Sequence, residues 1–249
     1  MSAKALRRRT QPSLAVRLRA LWLFAAFAAL GVFALALAIA NAPQLRVRSV
    51  AATVPPGPLA RDAVIAAARI DPGANLWLLD TGAIRRRLEA LPYVATASVG
   101  RSQFPQPAVN LEVTLRDPVE CVQTAGGTLT IDATARVLQT GCVSALLPLV
   151  QTGGAAAAPG TTLTGPDTDP LLADARSIAA HIPVRLVRRD RFGGIEAVDT
   201  RGVLLRFGAD GDLAAKIALV EPIRAGAGHG RPLRAIDLRA PTTPVVEFP

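Results

Sequence analysis

The sequence predicts an α+β protein held on an N-terminal transmembrane helix, and three observations carry that expectation. Residues 20–45 form an uncharged run within the 249-residue chain. Beyond it comes a strand, helix, helix, strand, strand order that ends near Arg116. From Pro118 the pattern changes to short strands punctuated by Gly and Pro and interrupted by two helical stretches. One helical layer on a small sheet is a complete minimal domain, and a β-rich domain with two helices follows it.

Within the uncharged run, Leu21 to Ile39 is almost wholly apolar. A helix of roughly 20 residues, rising about 1.5 Å per residue, matches a hydrocarbon core about 30 Å thick. Lys4, Arg7, Arg8, Arg9, Arg17 and Arg19 precede the run, and the first acidic residue is Asp62. Cationic residues favour the cytoplasmic side, so the N-terminus is expected there and everything after the span outside. The rival reading is a cleaved signal peptide, with small residues at Ala38, Ala40 and Ala42. Its apolar stretch would be longer than the usual 7–15 residues or so, and cleavage after Ala42 would leave Pro43 just beyond the cut. The expected division is a tail over 1–20, a span over 21–42, a first domain over 46–116 and a second over 117–249.

The net charge of +9 invites a nucleic-acid partner, but its distribution argues against one. Setting aside the six basic residues of the tail, 22 of the 28 remain against 19 acidic residues. That balance suits an exported region better than a phosphate-binding surface, and the tail suits topology and anionic headgroups. Cys121 and Cys142 both lie beyond the span. They permit a disulfide in an oxidising compartment or two buried thiols, and without nearby histidines they form no zinc site.

Arg46 to Val54 reads as a strand, broken by Pro55-Pro56-Gly57-Pro58. Arg61 to Ala68 reads as a short helix with Val64, Ala67 and Ala68 on one face. Asp80 can cap a second helix in which Ile84, Leu88 and Leu91 follow the i, i+4, i+7 stripe, with Arg85, Arg86 and Arg87 outward. In the next strand Tyr93, Ala95, Ala97 and Val99 point one way, and in its partner Val109, Leu111, Val113 and Leu115 do. In the second domain the expected strands are 128–131, 136–138, 184–188, 194–198, 203–207, 233–238 and 244–248. One helix starts at Asp169-Pro170, with Leu171, Ala175, Ile178 and Ile182 aligned. Another begins near Asp212 with Leu213, Ile217 and Val220 aligned, and Pro222 is expected to end or kink it.

Several strings in this order resemble the bacterial cell-division family FtsQ/DivIB. Gly73-Ala74-Asn75-Leu76-Trp77-Leu78-Leu79-Asp80 is similar to the segment between that family's two helices. Leu88-Glu89-Ala90-Leu91-Pro92-Tyr93-Val94, with Ala97-Ser98-Val99 and Arg101, resembles its helix-to-strand motif. Leu115-Arg116-Asp117-Pro118-Val119 is similar to its domain junction. Ile131-Asp132, Arg136-Val137-Leu138, Lys216-Ile217 and Ile236-Asp237-Leu238-Arg239 follow in the expected order. The resemblance implies a POTRA domain (β-α-α-β-β) and a mixed β-rich domain that continues its sheet. It further implies a non-catalytic scaffold that links early ring assembly to septal peptidoglycan synthesis.

The partners it implies are the coiled-coil bitopic proteins FtsB and FtsL and, through them, the septal synthase complex. In the family these engage the last strands, and the matching positions here are Ala240, Thr242 and Phe248. It implies no cofactor and no small-molecule substrate. The alternative is a membrane-anchored extracytoplasmic cell-wall enzyme. His181 and His229 are the two histidines, neither has a carboxylate three or four residues on, and no HExxH or GxSxG string is present. An outer-membrane β-barrel needs far more alternating strand than the stretch after Pro118 supplies.

Overall fold

The computed structural model describes residues 14–103, 105–209, 211–227 and 231–249. The N-terminal helix α1 runs Leu14–Ala40. Its stretch Leu21–Ala40 is long and apolar enough to cross a membrane and buries nothing within the protein. The cationic residues Lys4 to Arg9 lie outside the described residues. A single 3-10 turn at Pro43–Leu45 leads out of it.

Two separate sheets follow. The first holds β1 (Ser49–Thr53), β2 (Val94–Ser102) and β3 (Ala108–Leu115) in the order β1-β3-β2, with β1 parallel and β2 antiparallel to β3. Helices α2 (Arg61–Ala68) and α3 (Thr81–Glu89) cover one face. Val64, Leu76, Ile84, Leu88, Val109, Leu111 and Val113 form its core. Asp80 Oδ1 accepts the backbone N–H of Ala83 at 2.8 Å and so caps α3, a contact worth about 1 kcal/mol. The expected facing of β2 is partly overturned. The register shifts between Val94 and Thr96, so Val94 is buried while Tyr93 turns toward the second sheet. A bulge of this kind reverses which residues face inward on either side of it.

The second sheet has nine strands: β4 (Glu120–Thr124), β5 (Gly127–Ile131), β6 (Val137–Thr140), β7 (Leu149–Gln151), β8 (Val184–Arg189), β9 (Ile195–Asp199), β10 (Leu204–Gly208), β11 (Ala235–Asp237) and β12 (Val245–Glu247). Their order is β12-β11-β10-β9-β8-β7-β4-β5-β6. It is distinct from the first sheet and does not continue it. Between β3 and β4 the chain passes Pro118, which has no N–H to donate to a ladder. Helices α4 (Thr168–Ala179) and α5 (Leu213–Ala227) pack on one face, burying Ile178, Leu205, Phe207, Val220 and Ile236.

Two helix expectations change. Helix α4 begins at Thr168 behind Asp167, so Pro170 sits inside its first turn, and Asp169 Oδ1 accepts the Gly165 N–H instead of capping. Helix α5 continues through Pro222. Pro222 and Ala218, whose carbonyl loses its usual donor, both lie on the exposed side of the helix.

Cys121 on β4 and Cys142 after β6 are joined as a disulfide with their Cα atoms 5.4 Å apart. The bridge ties strands that are second neighbours in the sheet, across β5. With 21 residues of separation, the Cys121→Ser/Cys142→Ser chain is expected to lose about 3 kcal/mol of stability. Urea unfolding of the full chain in detergent, with and without reductant, checks this.

Candidate functional site

The nine-stranded sheet ends in β12, whose single neighbour is β11, antiparallel through the pairs Ala235–Glu247, Ile236–Val246 and Asp237–Val245. Its other edge carries backbone donors and acceptors with no strand beside them among the described residues. Val245 is 58% exposed on this edge. An unpaired edge of this kind accepts an added strand from another chain.

The three residues singled out from the sequence bracket this edge and do not cluster. Ala240 and Thr242 are exposed in the turn between β11 and β12, closed by a Thr243 N–H to Ala240 carbonyl bond of 3.1 Å. Phe248 lies at the opposite end, half-buried, with the Arg231 guanidinium 4.5 Å from its ring centre. The backbone of β12 spans the gap between them.

A charged row approaches the same edge, and sequence reasoning missed it. Register aligns Arg188, Glu196, Arg206, Asp237 and Val245 across five adjacent strands. Arg188 pairs with Glu196 at 3.1 Å, and Arg206 reaches Glu247 on β12 at 2.6 Å. Arg239 grips Asp237 at 2.5 Å, and this bond holds the Asp237 carboxyl below its ordinary range. Opposite signs facing each other on neighbouring strands favour this register over one that sets like charges opposite. Each strand from β8 to β11 contributes a single charge to this row, so it is readable only once strand order and register are known.

A second constellation lies where the two sheets meet. Arg116 at the end of β3 donates Nη1 to Asp132 Oδ2 at 2.7 Å and Nε to the Val94 carbonyl at 3.0 Å. Asp132 Oδ1 accepts from the N–H of Thr134, the Thr134 hydroxyl and the N–H of Arg136. Arg136 Nη2 crosses to the Ala90 carbonyl at 3.3 Å, and the Tyr93 hydroxyl donates to Gln139 Oε1 at 2.7 Å. Behind them Glu120, 1% exposed, is met by Arg176 at 2.6 Å. Burial would raise the Asp132 carboxyl, but the bonds from Thr134, Arg116 and Arg136 prevail and hold it low. Burial does raise Glu120, against the opposing pull of Arg176.

His181 is exposed, with Nδ1 3.0 Å from the Ser177 carbonyl oxygen. His229 and the surrounding glycine loop lie outside the described residues. Among the described residues no group of three or more His, Cys, Asp or Glu side chains is gathered.

The geometry defines a class: a membrane-anchored protein carrying a small β-α-α-β-β domain and a larger mixed sheet with an open edge. Residues 47–116 match the family of POTRA domains, FtsQ-type. The cell division protein FtsQ of Streptomyces griseus is 30% identical over 196 residues, covering 76% of this chain and 90% of that protein. The chain belongs to the FtsQ family of cell-division proteins, which places it in the divisome.

Proposed function

We propose that the chain is a non-catalytic divisome scaffold that holds membrane partners together between early ring assembly and septal peptidoglycan synthesis. The open edge of β12 is the observation that carries this reading. The tail stays in the cytoplasm and the two sheets stand outside it, at the division septum. The first domain receives upstream partners, while FtsB- and FtsL-like coiled-coil proteins add a strand at β12, bracketed by Ala240, Thr242 and Phe248. Backbone bonds give such a ladder its affinity, and the flanking side chains select the partner. The chain needs no cofactor, nucleic acid or small-molecule substrate for this work.

Proline at the edge tests the mode of capture. Consecutive residues of a strand direct their N–H groups to opposite sides, so one of Val245 and Val246 faces β11 and the other faces outward. Proline at the outward position leaves the fold intact and removes one donor from the incoming ladder. A loss of about 1–3 kcal/mol follows, roughly 5- to 150-fold in affinity. Proline at the inward position costs stability instead. Phe248→Glu weakens capture by removing the apolar end of the edge, with membrane insertion unchanged. Co-purification of the late partners with each full-length variant reads the effect. Equal capture by all three variants would refute strand addition at this edge.

A further inference from the structure

The loop between α2 and α3 is tied to the end of the membrane span, and it exposes two large apolar side chains. Asn75 Nδ2 donates to the carbonyl oxygens of Ile39 at 2.9 Å and Ala40 at 3.0 Å. These belong to the last turn of α1, where the helix itself runs out of donors, and Ile39 also accepts the Ala42 N–H at 3.3 Å. Backbone bonds from Val47 to Ala74, from Gly73 to Val47 and from Leu76 to Leu45 hold the loop against the exit segment. Leu76 is fully buried in the core of the first domain, so the loop is fixed from that side as well. The next two residues face away from that core: Trp77 is 53% and Leu78 69% exposed.

Height above the membrane follows from these bonds. The 20 residues of Leu21–Ala40 match the hydrocarbon thickness, so Ala40 ends near its boundary. The headgroup layer beyond is about 5–8 Å deep on each side, and two residues of chain reach no more than about 7 Å. Trp77 and Leu78 therefore stand within or beside that layer. Indole favours this region, where its ring is sheltered and its N–H remains wet. Exposed cations surround the loop: Arg46 bridges Asn75, Arg48 follows, and the Arg101 guanidinium lies 6.0 Å from the Trp77 ring centre. Of the nearby acids, Asp80 is engaged in capping α3 and Asp71 lies in the preceding turn. Such a surface suits anionic lipid.

We propose that Trp77 and Leu78 are an interfacial anchor that enters the headgroup region of the leaflet from which the span emerges. The proposal rests on the reading of α1 as a membrane span. Two attachments, the span and this loop, then fix the tilt of the first domain against the membrane. The second sheet is held at a set orientation through the Arg116–Asp132 joint.

Trp22→Phe leaves Trp77 as the sole tryptophan of the full chain. That chain is reconstituted into vesicles of phosphatidylcholine and phosphatidylglycerol, with iodide equilibrated on both faces. The expected result is blue-shifted Trp77 emission, protection from iodide, and loss of most emission to lipid brominated near the acyl carbonyl. Quenching by brominated lipid should persist as protein is diluted in lipid. Leu78→Asp should shift the emission to the red while the chain still floats with the vesicles. A floating chain whose Trp77 is open to iodide overturns the proposal and leaves the span standing. Protection from iodide without quenching by brominated lipid means that protein covers the loop, which also overturns it. A chain that does not float loses the span and the proposal together.

Discussion

Arg176→Met is expected to cost about 3–5 kcal/mol at neutral pH, because it leaves a buried carboxylate without its counter-charge. The Glu120 side chain is 2% exposed and Arg176 33%, so the cation can recover water when the pair is broken but the anion cannot. Glu120 already has its carboxyl pushed up by burial, with Arg176 resisting. Without Arg176 that rise grows. A folded-state value above the unfolded one of about 4.3 gives a stability contribution present below that pH and lost as pH rises through the folded value. The variant should therefore recover part of its deficit as the pH is lowered. Urea unfolding of the full chain in detergent at neutral and mildly acidic pH measures this. Equal destabilisation at both would mean that lost packing of the Arg176 stem, not the charge, is responsible.

Asp132→Ala should cost about 3 kcal/mol or more at neutral pH, and its deficit too should shrink in acid, from a different cause. The substitution removes the acceptor of four hydrogen bonds, three of them from within residues 134–136, and leaves Arg116 without its counter-charge. Because the Asp132 carboxyl is held below its unfolded value of about 3.9, its contribution is present above that pH and lost as pH falls through the lower folded value. The wild-type advantage over Asp132→Ala should thus shrink in acid, where that of wild type over Arg176→Met also shrinks for the other reason. Arg176 Nη2 also reaches the Asp132 carbonyl at 3.4 Å, so the two losses should not add. The lost link also loosens the joint between the sheets, which Arg136 and Tyr93 still bridge, and faster proteolysis between Arg116 and Val119 would reveal this.

Periodicity made the first domain legible. Ile84 and Leu88 line α3, and Val109, Leu111 and Val113 line β3, because each element buries one face and leaves the other wet. It failed where both faces are covered. Glu120, Cys121, Val122 and Thr124 of β4 are all buried, so the strand has no alternation to read, and the three residues of β7 are too few for a pattern. Tyr93 misled because a bulge changes facing without any mark in composition. Pro222 misled because a proline on a solvated helix face costs less than one packed in a core. At the edge, Ala240, Thr242 and Phe248 came from family resemblance alone. What joins them is the position of β12 at the end of the sheet, which depends on pairings between distant segments that no local string encodes. The Arg116–Asp132 joint was visible only as two separate motifs.

Assembly of the division machinery by this membrane-anchored chain can be followed in dividing cells with an N-terminal fluorescent fusion that replaces the native copy, together with depletion of the protein. A band at mid-cell before constriction, with filamentation on depletion, is the predicted result. A uniform membrane signal with normal division on depletion would contradict it.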